Sequence, residues 1–132
     1  MASRILVIND DQSLLDLYKD VLEGDGYEVL LSLIAYQEVS TIEQMHLDLI
    51  ILDAKLGHDF EGLLLLQKLK MYPPTQAIPV LLCSAWIDMI RQQEANLRDK
   101  GIPILYKPFH IEELLQNVRH LLTREGTAAL KP

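Results

Sequence analysis

Four short runs in the chain are apolar without interruption: Ile5–Ile8, Leu49–Leu52, Val80–Cys83 and Ile104–Tyr106. A strand with one face in water alternates apolar and polar side chains, whereas a strand covered on both faces does not. These four therefore predict a parallel sheet packed between helices, with Tyr27–Leu31 as a fifth, more ambiguous strand. The intervening segments carry helical period. Leu14, Leu15, Tyr18, Val21 and Leu22 share one helix face, closed by Gly24 and Gly26. Leu63, Leu66 and Leu69 repeat the spacing until Pro73-Pro74 ends it. Residues 86–100 form a charged amphipathic stretch ending at Gly101, and Ile111, Leu114, Leu115, Val118 and Leu122 make a last apolar stripe. Strand and helix thus alternate about five times. That order predicts an α/β fold, a doubly wound five-stranded parallel sheet, because right-handed crossovers place helices on both faces.

Composition supports a single packed domain. The chain has 132 residues, 49% of them hydrophobic and 23% charged, with only 6 Gly and 6 Pro, which excludes a disordered or collagen-like chain. The formal net charge of −7 argues against direct binding to a nucleic-acid backbone, which needs a basic face. Cys83 is the one cysteine, so no internal disulfide or thiolate metal cluster can form. Ile5–Ile8 is too short for a signal-peptide core, and no run reaches the ~20 apolar residues of a membrane span. A cytoplasmic protein that binds no membrane is the expectation. The domain is expected over residues 4–124, with 125–132 as a loose tail or the start of a linker.

Open α/β sheets bind ligands beyond the carboxyl ends of their strands. There the sequence places Asn9-Asp10-Asp11 after the first strand, Asp53 after the third, Ser84-Ala85 after the fourth and Lys107-Pro108-Phe109 after the fifth. Two unit charges ~4 Å apart cost roughly 4 kcal/mol at an effective dielectric of about 20, so clustered carboxylates need a cation. Mg²⁺, a hard ion that prefers oxygen ligands, or the ammonium of Lys107 supplies one. Bland readings stand beside these: Asp53 as a loop acid or helix cap, Asp11 as the cap of the first helix, Ser84 as a cap, Lys107 as a surface lysine. Trp86 reads as a packing residue, and His46, His58, His110 and His120 as scattered surface or loop residues.

Five segments in order, ILVINDD, DLIILD, Glu61-Gly62, VLLCSA and LYKPF, resemble the receiver domain of two-component response regulators across about residues 4–124. The resemblance implies a flavodoxin-like (βα)5 three-layer sandwich. It implies that Asp53 accepts a phosphoryl group from a phosphohistidine on a sensor histidine kinase or phosphotransfer protein. It implies a Mg²⁺ site made of Asp10 as direct ligand, Asp53, the backbone carbonyl of Lys55, and Asn9 or Asp11 acting through water. Ser84 and Lys107 are implied to contact the phosphoryl oxygens, with Pro108 following through a cis bond. Phosphorylation then changes the face formed by the fourth helix, fifth strand and final helix, read by a downstream effector or a second copy.

The chain also departs from that family. Asn9 stands where an acid is usual, which removes a negative charge and is expected to lower metal affinity. Gly57 replaces the usual proline in a loop that reads one residue longer. Ile104 stands where an aromatic switch residue is usual, and Tyr106 lies two residues or about 7 Å further along the strand. Signalling is therefore expected through Ser84 and the fourth helix. The runner-up function is a pseudo-receiver, a phosphorylation-independent interaction module. A phosphohydrolase of the dehalogenase-like type fits poorly, because Lys55 stands where its second acid is needed. A flavin mononucleotide site fits poorly too, since Asn9-Asp10-Asp11 would repel phosphate.

Overall fold

A computed structural model of the chain describes residues 2–33, 38–55, 61–85 and 90–130, with side chains as far as residue 123. Five strands, β1 (Arg4–Ile8), β2 (Glu28–Ser32), β3 (Leu49–Asp53), β4 (Val80–Ser84) and β5 (Ile104–Tyr106), form one parallel sheet in the order β2-β1-β3-β4-β5. The helices are α1 (Gln12–Gly24), α2 (Val39–Glu43), α3 (Glu61–Met71), the single turn α4 (Pro73–Gln76), α5 (Glu94–Asp99) and α6 (Ile111–Leu130).

Alternation along each strand divides the core into two. Leu6, Ile8, Ile50, Leu52, Val80, Leu82 and Ile104 point to the face that also holds Ile42 of α2, Leu65 of α3 and Leu97 of α5. Ile5, Val7, Leu49, Ile51, Leu81, Cys83 and Leu105 point to the other, against Leu15, Tyr18 and Leu22 of α1 and Leu114, Val118 and Leu121 of α6. The uninterrupted apolar runs in the sequence are the superposition of these two buried faces.

Local chemistry sets the ends. Asp11 caps α1, its Oδ1 accepting from the backbone N–H of Ser13 at 2.9 Å and of Leu14 at 3.3 Å. Gly26, at φ 94°, takes the left-handed conformation that lets the chain leave α1 and enter β2. Pro73-Pro74 ends α3 as expected and then starts α4, because proline suits the first turn of a helix, where no N–H bond is lost.

Some boundaries shift. The second strand begins at Glu28 rather than Tyr27 and ends at Ser32. Asp53 and Ser84 are the last residues of β3 and β4 and not the loop residues after them. Within the amphipathic stretch expected over 86–100, helix α5 covers Glu94–Asp99, and residues 86–89, including Trp86, lie outside the described residues. The loop residues Gly57 and His58 also lie outside them. The segment expected to be a loose tail continues as helix to Leu130, since only Gly126 interrupts a run free of proline and a single glycine costs a helix about 1 kcal/mol.

The contrast between core and surface makes a test. Leu82 is fully buried in a central strand, so Leu82→Ala is expected to cost about 2–5 kcal/mol in chemical denaturation. Arg119→Ala removes an exposed ion pair to Asp25 at 3.0 Å and should cost no more than about 1 kcal/mol.

Candidate functional site

The register of the sheet assembles the site. Val7 pairs with Ile51 and Ile8 with Leu52, so one step further brings Asn9 opposite Asp53. Asp53 pairs in turn with Cys83 on β4, and Ser84 pairs with Tyr106 on β5. Asn9, Asp53 and Lys107 continue the odd-numbered positions of β1, β3 and β5 and so fall on the sheet face covered by α1 and α6.

Asp53 is 7% exposed, and a carboxylate that deep needs compensation. Lys107 Nζ lies 2.6 Å from Asp53 Oδ2, an ion pair spanning 54 residues of sequence. The side-chain amide of Asn9 donates to the same oxygen at 3.2 Å, and the backbone N–H of Lys55 donates to Oδ1 at 3.0 Å. The backbone N–H of Lys107 donates to the carbonyl of Ser84 at 2.9 Å, and the Lys107-Pro108 bond is cis. Ser84 is 1% exposed at the neighbouring strand end.

Helix α3 approaches this cluster closely. A Cβ on Gly62 would stand 1.9 Å from the carbonyl oxygen of Asp53 and 2.7 Å from that of Ala54, both backbone atoms. Only glycine fits there, so Gly62 of the acid-Gly pair at the start of α3 is a packing requirement of the strand end that bears Asp53. Gly62→Ala is expected to force the two segments apart and to cost about 1–3 kcal/mol, read from the denaturation midpoint.

The three residues after β1 separate in role. Asn9 is 2% exposed and faces Asp53, Asp10 is exposed, and Asp11 holds the start of α1. The sequence reading drew Asp10, Asp11 and Asp53 together as acids. What it missed is the parity that brings the amide of Asn9 into contact with Asp53, a signal available by counting alternate positions from Ile5. Among the described residues no three His, Cys, Asp or Glu side chains form a metal-ligating group. Oxygen donors in the neighbourhood of Asp53 are of the kind Mg²⁺ prefers, and a short set of them would suit an ion retaining several waters. His46, His110 and His120 are exposed.

A buried pair lies beneath the site. Tyr18 Oη donates to Cys83 Sγ at 3.7 Å, and the Tyr18 and Phe109 rings stand 6.2 Å apart. Burial pushes the Cys83 thiol up from 9.0 to about 12, while Tyr18 and Lys107 pull it partly back. Burial also raises the Tyr18 phenol. As pH rises past the unfolded thiol's value of 9.0, the unfolded chain loses the proton first, so this group's stabilising contribution falls between pH 9.0 and about 12. Near neutral pH the native thiol is expected to resist a disulfide reagent such as Ellman's and to react fully once the chain is denatured, followed by absorbance.

Residues 5–119 match the family model described as the response regulator receiver domain, and the chain belongs to that family. The DNA-binding dual master transcriptional regulator RpaA of Synechocystis sp. is 35% identical over 121 residues, 92% of this chain and 49% of its own length. The DNA-binding response regulator MtrA of Mycobacterium tuberculosis is 27% identical over 124 residues, 94% of this chain and 52% of its own length. The chain therefore spans about half the length of these curated relatives. Among solved structures, a CheY-like receiver domain protein from Methanospirillum hungatei superposes with a TM-score of 0.81 at 27% identity, covering 97% of this chain and 99% of that one. NtrX from Brucella abortus superposes with a TM-score of 0.80 at 25% identity, over 98% of this chain and 28% of that one. Among the described residues no helix is long and apolar enough to cross a membrane.

Proposed function

We propose that this receiver domain accepts a phosphoryl group on Asp53 from a phosphohistidine of a sensor histidine kinase or phosphotransfer protein. The observation that carries the reading is the Asp53 carboxylate at the tip of the central strand β3, with the Lys107 ammonium 2.6 Å away. In the transfer an Asp53 oxygen attacks phosphorus. A P–O bond forms as the P–N bond breaks, and the electron pair leaves with the imidazole nitrogen, which takes up a proton. The product is an acyl phosphate. Such transfer depends on positioning and charge neutralisation more than on covalent assistance.

The side chains divide that work. Hydrogen bonds from Lys55 and Asn9 fix the carboxylate so that its oxygens are aimed before the donor arrives. Lys107 follows the charge as it moves from the carboxylate to the phosphoryl oxygens. Ser84 donates its hydroxyl to one of those oxygens from the end of β4. Mg²⁺, when bound by Asp10, Asp53 and the Lys55 carbonyl, supplies further neutralisation of the phosphoryl group. The change is read on the face of α5, β5 and α6 by an effector or a second copy of the chain. Ile104 is buried, and Tyr106, partly buried, pairs with Ser84 in the β4–β5 register.

Incubation with acetyl phosphate and Mg²⁺ is expected to add about 80 Da, one phosphoryl group, by intact mass. Asp53→Asn should abolish the adduct, and Lys107→Ala should slow its formation by at least about 10-fold. An unmodified wild type, beside an ordinary receiver modified under the same conditions, would overturn the reading in favour of a phosphorylation-independent interaction module.

A further inference from the structure

We infer that Asn9 is a hydrogen-bond clamp that lets Asp53 rest without a metal ion, and that it sets the site's affinity for Mg²⁺ low. The functional meaning of this rests on the proposed phosphoacceptor role of Asp53, although its test does not use a phosphodonor. The orientation of the Asn9 amide is fixed by its own surroundings. Its Oδ1 accepts the backbone N–H of Asp11 at 3.0 Å, and only an oxygen can do so. The NH2 group is therefore the part that faces Asp53, 3.2 Å from Oδ2. With Asn9 2% exposed and sited by the β1–β3 register, the amide has little freedom to turn.

The result is a carboxylate whose charge is already covered. Asp53 Oδ2 receives Lys107 and Asn9, and Oδ1 receives the backbone N–H of Lys55. An aspartate in the rotamer of Asn9 would keep the Asp11 contact and lose the other. Its second oxygen, in place of the NH2, would turn a donor into a like charge at contact distance from Asp53 Oδ2. That repulsion is the force that makes a divalent ion necessary between two carboxylates, and the amide removes it. An ion approaching Asp53 here must instead compete with a hydrogen bond and finds one negative charge fewer. Asn9 thus acts as a positioning and specificity-determining residue: it stabilises the metal-free carboxylate and raises the Mg²⁺ concentration at which the site fills.

Thermal unfolding of the wild type, Asn9→Asp and Asn9→Ala, in chelator and across a Mg²⁺ titration, tests this. In chelator both variants should melt below the wild type, the first from repulsion and the second from the lost donor. Mg²⁺ should raise the melting temperature of Asn9→Asp with a half-effect concentration lower than the wild type's by about 10-fold or more, and Asn9→Ala should show no such gain. Asn9→Asp as stable as wild type in chelator, or no more sensitive to Mg²⁺, overturns the inference. If Asn9→Asp stays unfolded with and without Mg²⁺, the wild type decides by nuclear magnetic resonance. The Asn9 side-chain amide protons, identified by their loss in Asn9→Ala, should exchange slowly in chelator and shift in Asp53→Ala. Fast exchange with no shift overturns the inference. Because no phosphodonor is present, a wild type that never takes up phosphate would remove the proposed function and leave these outcomes readable.

Discussion

A carboxylate 7% exposed at the end of a buried strand is stable only if opposite charge and donors reach it, and Lys107, 2.6 Å away, supplies that charge from β5 across β4. An unpaired charge at such depth costs several kcal/mol, more than most single contacts in a domain contribute. The geometry that brings the two together is long-range throughout. It needs the parallel register of three strands, the contact of the Lys107 backbone with Ser84, and the close approach of α3 that Gly62 permits. The same pairing makes the site electrically responsive. A group that takes the carboxylate's charge also takes the partner of Lys107, and the strand end carrying Lys107 is continuous with β5.

The two-layered core explains why this arrangement holds its shape. Alternate residues of β1, β3 and β4 are committed to opposite faces, with Leu6, Ile8 and Leu52 on one side and Val7, Ile51 and Cys83 on the other. A slip of one residue would exchange every one of them. Asn9 and Asp53 inherit their direction from that commitment. The site is thus a by-product of core packing at its edge, and its side chains need few contacts of their own to be placed.

Much of this was legible in the sequence. Uninterrupted apolar runs predicted doubly covered strands, and the strand ends drew attention to Asp53, Ser84 and Lys107, which the register does bring to one edge. Less plain in the sequence is which way each polar residue after β1 faces, although alternation from Ile5 carries that signal for Asn9. Of the three residues after β1, Asp11 caps α1, one of the two readings the sequence offers for it, Asp10 is exposed, and Asn9 is buried against Asp53. The short helix α2 also went unread, because five residues with Ile42 as the buried member carry too little period to detect. The extent of α6 is hard to read for the opposite reason. Gly126 and the polar residues near it look like a terminus, while the run to Leu130 has no proline to stop a helix already in progress.

The amide of Asn9 gives the site a different electrostatic balance from one lined by acids. Where carboxylates crowd, a cation must be present for the resting state to be comfortable, so the ion is part of the structure. Here a neutral donor and an ammonium share one oxygen of Asp53, and a backbone N–H holds the other. These contacts give the carboxylate an ordered direction; under the proposed role that order would favour in-line attack, while each donor would diminish its nucleophilicity. In the proposed transfer, Lys107 and Asn9 would yield part of their hold as negative charge moves outward to the phosphoryl oxygens. Lys107, on a flexible four-carbon stem, can follow that charge, whereas Asn9, tied to the backbone of Asp11, cannot. In the proposed transfer, the fixed amide would order the carboxylate beforehand and the mobile cation alone would move with the group received.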